Sequence, residues 1–286
     1  MSKQQRASAK RNTIQPTRRD IHFKLPTDRI SDWHPGGPHV AHLVNTLSLF
    51  FPVGERFFIE SVRNYRDRIT DPELKKAVTG FIGQEAMHGR EHEEYNEALY
   101  AAVPQTIGME RFVANLLALG QKVLPKSSQL STTIALEHFT AILADALLKD
   151  PRTLEGAEPA FAALLRWHAL EETEHKAVAF DVWRAVTRRG PREYFGRTSG
   201  LVLATLILWS ITFPFHLRIL AAQGKLTDLK GWRQFAHHYF GEIGLLRKLA
   251  RPWLDYFRPS FHPWDHDNRH FLSQLENFSG DYKAVA

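Results

Sequence analysis

Two stretches of the chain place a histidine three residues after a glutamate: Glu85 with His88, and Glu172 with His175. On a helix, side chains three apart stand one above the other on a single face. His168 lies four residues before Glu172 and joins that face. Carboxylates and imidazoles in an apolar segment need a partner, because unpaired polar and charged groups are costly to bury, and a metal ion meets that need. Each pair is also preceded by a lone glutamate in an apolar helical setting. Glu55 comes thirty residues before Glu85, and Glu137 thirty-five before Glu172. One Glu-x-x-His is common on solvated helix faces. Two, each with its own upstream glutamate, point to two metal ions held between four helices.

This order resembles the ligand set of ferritin-like di-iron and di-manganese bundles, with a glutamate from each of two helices and a Glu-x-x-His from each of the others. Glu85 and Glu172 are the natural bridging carboxylates, Glu55 and Glu137 the terminal ones, and His88 and His175 supply one nitrogen to each metal. His168 is either a third nitrogen ligand, as in the N-oxygenating di-iron enzymes that act on aryl amines, or a residue that hydrogen-bonds to a ligand. His92, four after His88, is expected to orient a ligand, since metal-bound side chains usually have such partners. Asp181 and Arg56 are further candidates for that role. Glu91, Glu171 and Glu174 point off the ligand face and are expected to be solvated or paired with arginine. The cofactor expected is two metal ions, iron first, with manganese or zinc as alternatives.

The 286-residue chain suits one large helical domain with an appendage. It has no cysteine, which excludes disulfides, thiolate catalysis and iron–sulfur ligation and leaves oxygen and nitrogen donors for a metal. The net charge of +6 equals that of Met1 to Arg19, which carries six Lys and Arg and no acid. Residues 1–20 therefore read as a disordered basic tail. The tail has no apolar stretch, so it is no secretory signal, and the cytoplasm is the expected location. Nucleic acid is not an expected partner.

The expected fold is all-α, a ferritin-like four-helix bundle over residues 21–190 with further C-terminal helices. A first helix runs from Val40 to about Arg68, kinked or restarted at Pro52. A second starts at Thr70-Asp71-Pro72-Glu73 and ends before Pro104. Met109 to Val123 reads as a packing helix, Gln129 to Lys149 as the third ligand helix, and Pro159 to about Arg188 as the fourth. Residues 191–286 form a C-terminal extension. Within it, Gly200 to Leu217 is eighteen residues without a charge, at the lower limit for spanning a bilayer. It reads first as a buried or dimer-interface helix and second as a membrane-surface element. The His/Asp-rich Phe261 to Asp267 reads as a capping loop.

Three segments also resemble a bacterial family described as predicted metal-dependent hydrolases. They are Phe51 to Phe58 (Phe-Pro-x-Gly-Glu-x-Phe-Phe), Gln84 to His92 (Gln-Glu-x-x-His-x-x-x-His) and Glu171 to Val182, in a likeness running from about Arg18 to His266. The resemblance implies metal-dependent hydrolysis, with a metal-bridged water as nucleophile. The four-glutamate helical donor set speaks instead for a di-iron oxidase or oxygenase that activates dioxygen on an apolar or aromatic small molecule and needs an electron donor. A non-enzymatic metal-binding bundle is the third expectation.

Overall fold

The computed structural model describes residues 14–276. Those residues are helical, with no strand among them. The helices are α1 Pro38–Ser48, α2 Phe51–Arg63, α3 Pro72–Ala102, α4 Thr106–Val123, α5 Lys126–Lys149, α6 Pro159–His175, α7 Val178–Val186, α8 Pro191–Ala222, α9 Leu229–Tyr239 and α10 Ala250–Asp255.

Local chemistry sets the boundaries. α1 opens after Gly37 at φ 76°, a left-handed conformation that glycine adopts without strain. Pro52 has no N–H to continue the ladder, so the expected first helix is two, and Pro52 sits in the first turn of α2. The Asp71 carboxylate caps α3 by accepting from Glu73 N at 3.0 Å. The expected fourth helix is also two. It breaks at Lys176, whose ammonium donates to His266 O (2.7 Å) and Asn268 Oδ1 (2.6 Å) and lies over the Trp264 ring.

α2 packs along α3 and α5 along α6, while α2 also meets α5 and α3 meets α6. The four ligand-bearing helices thus surround one volume, an arrangement consistent with a four-helix bundle. One apolar cluster includes Trp33, Phe161 and Trp167, and another includes Phe58, Phe81 and Trp183. The His88 ring stands against Trp167 and the His175 ring against Phe81, so the two motifs lie between the clusters.

Two expectations need correcting. Residues 1–13 lie outside the described residues, but 14–20 are packed on the bundle rather than disordered. Thr17 O accepts from Gln84 Nε2 at 3.2 Å, and Arg19 pairs with Glu171 and Glu174. The close approach depends on Gly80 and Gly83 in α3, where a Cβ would meet Pro16 and Arg18. The apolar stretch 200–217 lies inside the longer α8, and of its expected readings only the buried one is overturned: 28% of its apolar window is buried. Its inner face (Leu201, Ala204, Phe215, Ile219) packs on α1 and α5, while Leu203, Leu206 and Leu217 are exposed. By length and composition α8 could cross a membrane.

Candidate metal centre

Each motif residue is delivered by a different turn of the four helices. Glu55 comes from α2, Glu85 and His88 from α3, Glu137 from α5, and His168, Glu172 and His175 from α6. All seven are buried. Their ligand atoms fall into overlapping groups within 4.8 Å: Glu55, His88 and His168; Glu85, Glu137 and His175; and Glu85, His88 and Glu172. The first group outlines one subsite and the second another. Glu85 belongs to groups on both sides. Glu172 turns Oε1 toward His168 Nε2 (3.1 Å) and Oε2 toward His175 Nε2 (3.5 Å), so one carboxylate faces both subsites.

The donor atoms fit divalent ions. Both carboxylate oxygens of Glu55, Glu85 and Glu137 are buried without a hydrogen-bond partner, as are His88 Nδ1 and His175 Nε2. Unsatisfied buried polar atoms are rare and call for an explanation, and eight around one volume are accounted for by cations. Four carboxylates against two divalent ions would be close to neutral.

The free nitrogens follow from the bonds made by the other side of each ring. His88 Nε2 donates to Glu171 Oε2 at 3.1 Å, leaving Nδ1 a bare acceptor. His175 Nδ1 donates to Gln84 Oε1 at 3.0 Å, leaving Nε2. For His168 the assignment runs through a longer network. Asn96 Nδ2 donates to Ser48 O and to Glu110, so Asn96 Oδ1 accepts from Ser48 Oγ at 2.7 Å. Ser48 Oγ then accepts from His92 Nδ1 at 2.8 Å, and His92 Nε2 accepts from His168 Nδ1 at 2.9 Å. His168 Nε2 is left with its lone pair beside Glu172 and Glu55.

Burial, followed by repulsion from Glu172 and neighbouring glutamates, holds the Glu55, Glu85 and Glu137 carboxyls well above the usual carboxylate range. Burial and the adjacent imidazoles push His88 well below the ordinary imidazole value, and burial with His168 does the same to His92. At Glu172 burial works upward, but in the metal-free protein the pull of His175 and hydrogen bonds donated by His168 and His175 outweigh it and hold the carboxyl low, so the bare nitrogens belong to the metal-loaded state. Metal-free, the cluster must share protons; a cation removes that conflict.

The structure brings together the seven residues named as ligands from the sequence and places His92 directly behind His168. It does not bring Asp181 or Arg56 there. Asp181 pairs with His262 at 3.0 Å, and Arg56 reaches outward to Glu93 at 2.5 Å. Glu171, Glu174 and Glu91 take the arginine-paired alternative expected of them. Glu171 is fully buried between His88 and Arg19, its carboxyl raised to about 8 by burial against the pull of Arg19. Glu174 binds Arg19 and Gln84, and Glu91 accepts from Phe23 N and Arg90. Sequence reasoning missed Glu171 and Gln84 as residues that orient His88 and His175. Adjacency to Glu172 and Glu85 was the only signal.

The fold and this donor set define an all-helical protein with a buried centre for metal ions. The chain belongs to the family described as "Predicted metal-dependent hydrolase", whose model matches residues 17–267. No curated protein and no solved structure matches it.

Proposed function

We propose that this chain is a two-metal enzyme acting on a substrate with a long apolar part. The observation that carries the reading is the set of eight unpartnered donor atoms converging on one buried volume, beside an apolar cavity of about 1090 Å³ that reaches Glu55 and Thr140. Substrate would arrive on the Glu55 side, where Phe51, Phe57, Phe58, Leu136 and Phe139 line the wall and exclude water. Thr140 Oγ1, also in that wall, donates to Glu172 Oε2 at 2.6 Å and fixes the orientation of that carboxylate. Glu171, Gln84 and His92 hold the three imidazoles with a bare nitrogen inward.

Bound here, divalent metal would supply a Lewis acid for hydrolysis or, as ferrous iron, electrons for dioxygen. The family description favours hydrolysis, and the comparisons offer nothing for oxidation. The donor set speaks for oxidation: the donors are helix-borne carboxylates of the kind found in di-iron bundles. That analogy is one of fold and site, not of sequence. The deciding experiment loads metal-free protein anaerobically with ferrous ion, admits air, and follows dioxygen uptake and the optical spectrum. In parallel, zinc- and manganese-loaded protein is assayed on long-chain esters. Dioxygen uptake lost in Glu85→Ala supports oxidation; ester turnover without dioxygen uptake returns the reaction to hydrolysis.

A further inference from the structure

The cavity beside Glu55 is a groove with a direction. Its floor is α5, and α4 and α8 line its sides. At one end the sides meet, where the Phe215 ring of α8 contacts Phe112 of α4 and Phe50. At the other end, past Val123 of α4 and the following Leu124, it is lined by Arg188, Arg189 and Arg192. These three arginines are exposed, and no ion pair involves them among the described residues. Beside them α8 begins without a side-chain cap, so its first N–H groups add to the positive end. The nearest acid in the lining, Glu193, is committed inward to Trp183 Nε1, Arg184 and Arg197.

Lengths match one class of molecule. Ser127 and Thr140 both line the groove and are thirteen residues apart on α5, about 20 Å at the rise of an α-helix. An acyl chain covers half of a bilayer core, roughly 15 Å. The volume lies just above the usual range for small-molecule sites.

We propose that the groove binds a free long-chain fatty acid, with its carboxylate on Arg188, Arg189 and Arg192 and its chain running along α5 toward Glu55. This names the substrate class of the two-metal site and rests on that reading for its chemistry, though not for binding. Held this way, the molecule offers Glu55 a methylene far from the carboxylate. The exposed apolar side chains of α4 and α8 along the rim form the open wall through which the chain enters.

The test is calorimetric titration of full-length, metal-free protein with hexadecanoate, hexadecanol and octanoate, below their aggregation thresholds. Saturable one-to-one binding of hexadecanoate is expected, with hexadecanol about tenfold weaker, a difference of about 1.4 kcal/mol. The triple variant R188A/R189A/R192A, altered only at exposed positions, should bind acid and alcohol alike. Gly54→Leu puts a side chain into the inner end, where a Cβ meets nothing closer than the Phe58 ring. It should lose hexadecanoate and keep octanoate. No saturable hexadecanoate binding overturns the proposal, as does an acid preference that survives the triple variant. Partition into phosphatidylcholine vesicles without binding of the free acid also overturns it, in favour of a membrane-facing α8. Metal content is measured on the same preparations, so failure of the metal centre and failure of the groove remain separate results.

Discussion

Among the described residues Ser48 hydrogen-bonds to His92 and Asn96 rather than to any of the seven candidate ligands, yet it should control one metal subsite. Its hydroxyl accepts from His92 and donates to Asn96, and that pair of bonds forces His168 to turn a bare Nε2 inward. Ser48→Ala leaves the His92 Nδ1 proton and Asn96 Oδ1 buried without partners. Such a loss costs about 1–3 kcal/mol of stability. At roughly 2–4 °C per kcal/mol for chains of this size, the melting temperature of metal-free protein should fall by about 2–12 °C. His92 is then free to take the other tautomer and donate toward His168, directing the His168 proton at the metal. Loss of such an orienting partner lowers metal affinity by about 10–100-fold. Zinc competition against a chromophoric chelator reads the two subsites in turn. One affinity should weaken and the other hold, and His168→Ala should weaken the same one further. If His168→Ala weakens a subsite while Ser48→Ala leaves both unchanged, the network does not set the tautomer. If neither substitution has an effect, His168 is no ligand.

Three further outcomes are expected. Glu174→Ala removes the carboxylate that holds Gln84 Nε2 and Arg19; it should weaken metal binding about tenfold by loosening His175, whereas Glu60→Ala, exposed and paired with Arg63, should not, and equal affinities in chelator competition would refute the Gln84 role. Gly80→Ala places a methyl against Pro16 and should cost about 1–3 kcal/mol as overpacking, lifting residues 14–20 so that limited proteolysis cuts near Arg18 and Arg19; an unchanged cleavage rate would show that the segment is not seated there. Metal binding at pH 7 should release protons, read with an indicator dye in weak buffer. The sign follows from the raised carboxyls of Glu55, Glu85 and Glu137. In the metal-free fold they keep protons that the unfolded chain loses above about 4.3, so their share of stability is full below that pH and lost as pH rises. His88 and His92, held low, work the other way, losing stability as pH falls below about 6.5. Metal displaces the carboxyl protons; absence of proton release would contradict the raised carboxyls.

The clustering of the seven candidate residues was legible because it lies in local spacing. Three- and four-residue intervals fix a helix face whatever the neighbours do, so Glu85 with His88, and His168 with Glu172 and His175, could be grouped from the sequence. Roles that depend on contacts between distant segments could not. Glu171 meets Arg19 across 152 residues and Gln84 meets His175 across 91, and no interval signals either. The break between α6 and α7 carries no proline or glycine; it depends on Lys176 finding the C-terminal loop. Gly80 and Gly83 carry no spacing signal of their own, yet their missing side chains make the bed for residues 14–20. The apolar residues of α4 and α8 read as ordinary packing, because hydrophobic spacing does not distinguish a core from an uncovered groove.

Whether four glutamates and three histidines hold two metal ions can be read from the purified protein itself. The most direct measurement is metal content by plasma emission of purified wild type and of Glu85→Ala, each confirmed folded by circular dichroism. Glu85 lies on the boundary of both subsites, so the account predicts two metal ions per wild-type chain and loss of both from the variant. Metal-free wild type that takes up none on reconstitution would contradict it, as would equal occupancy in the two proteins.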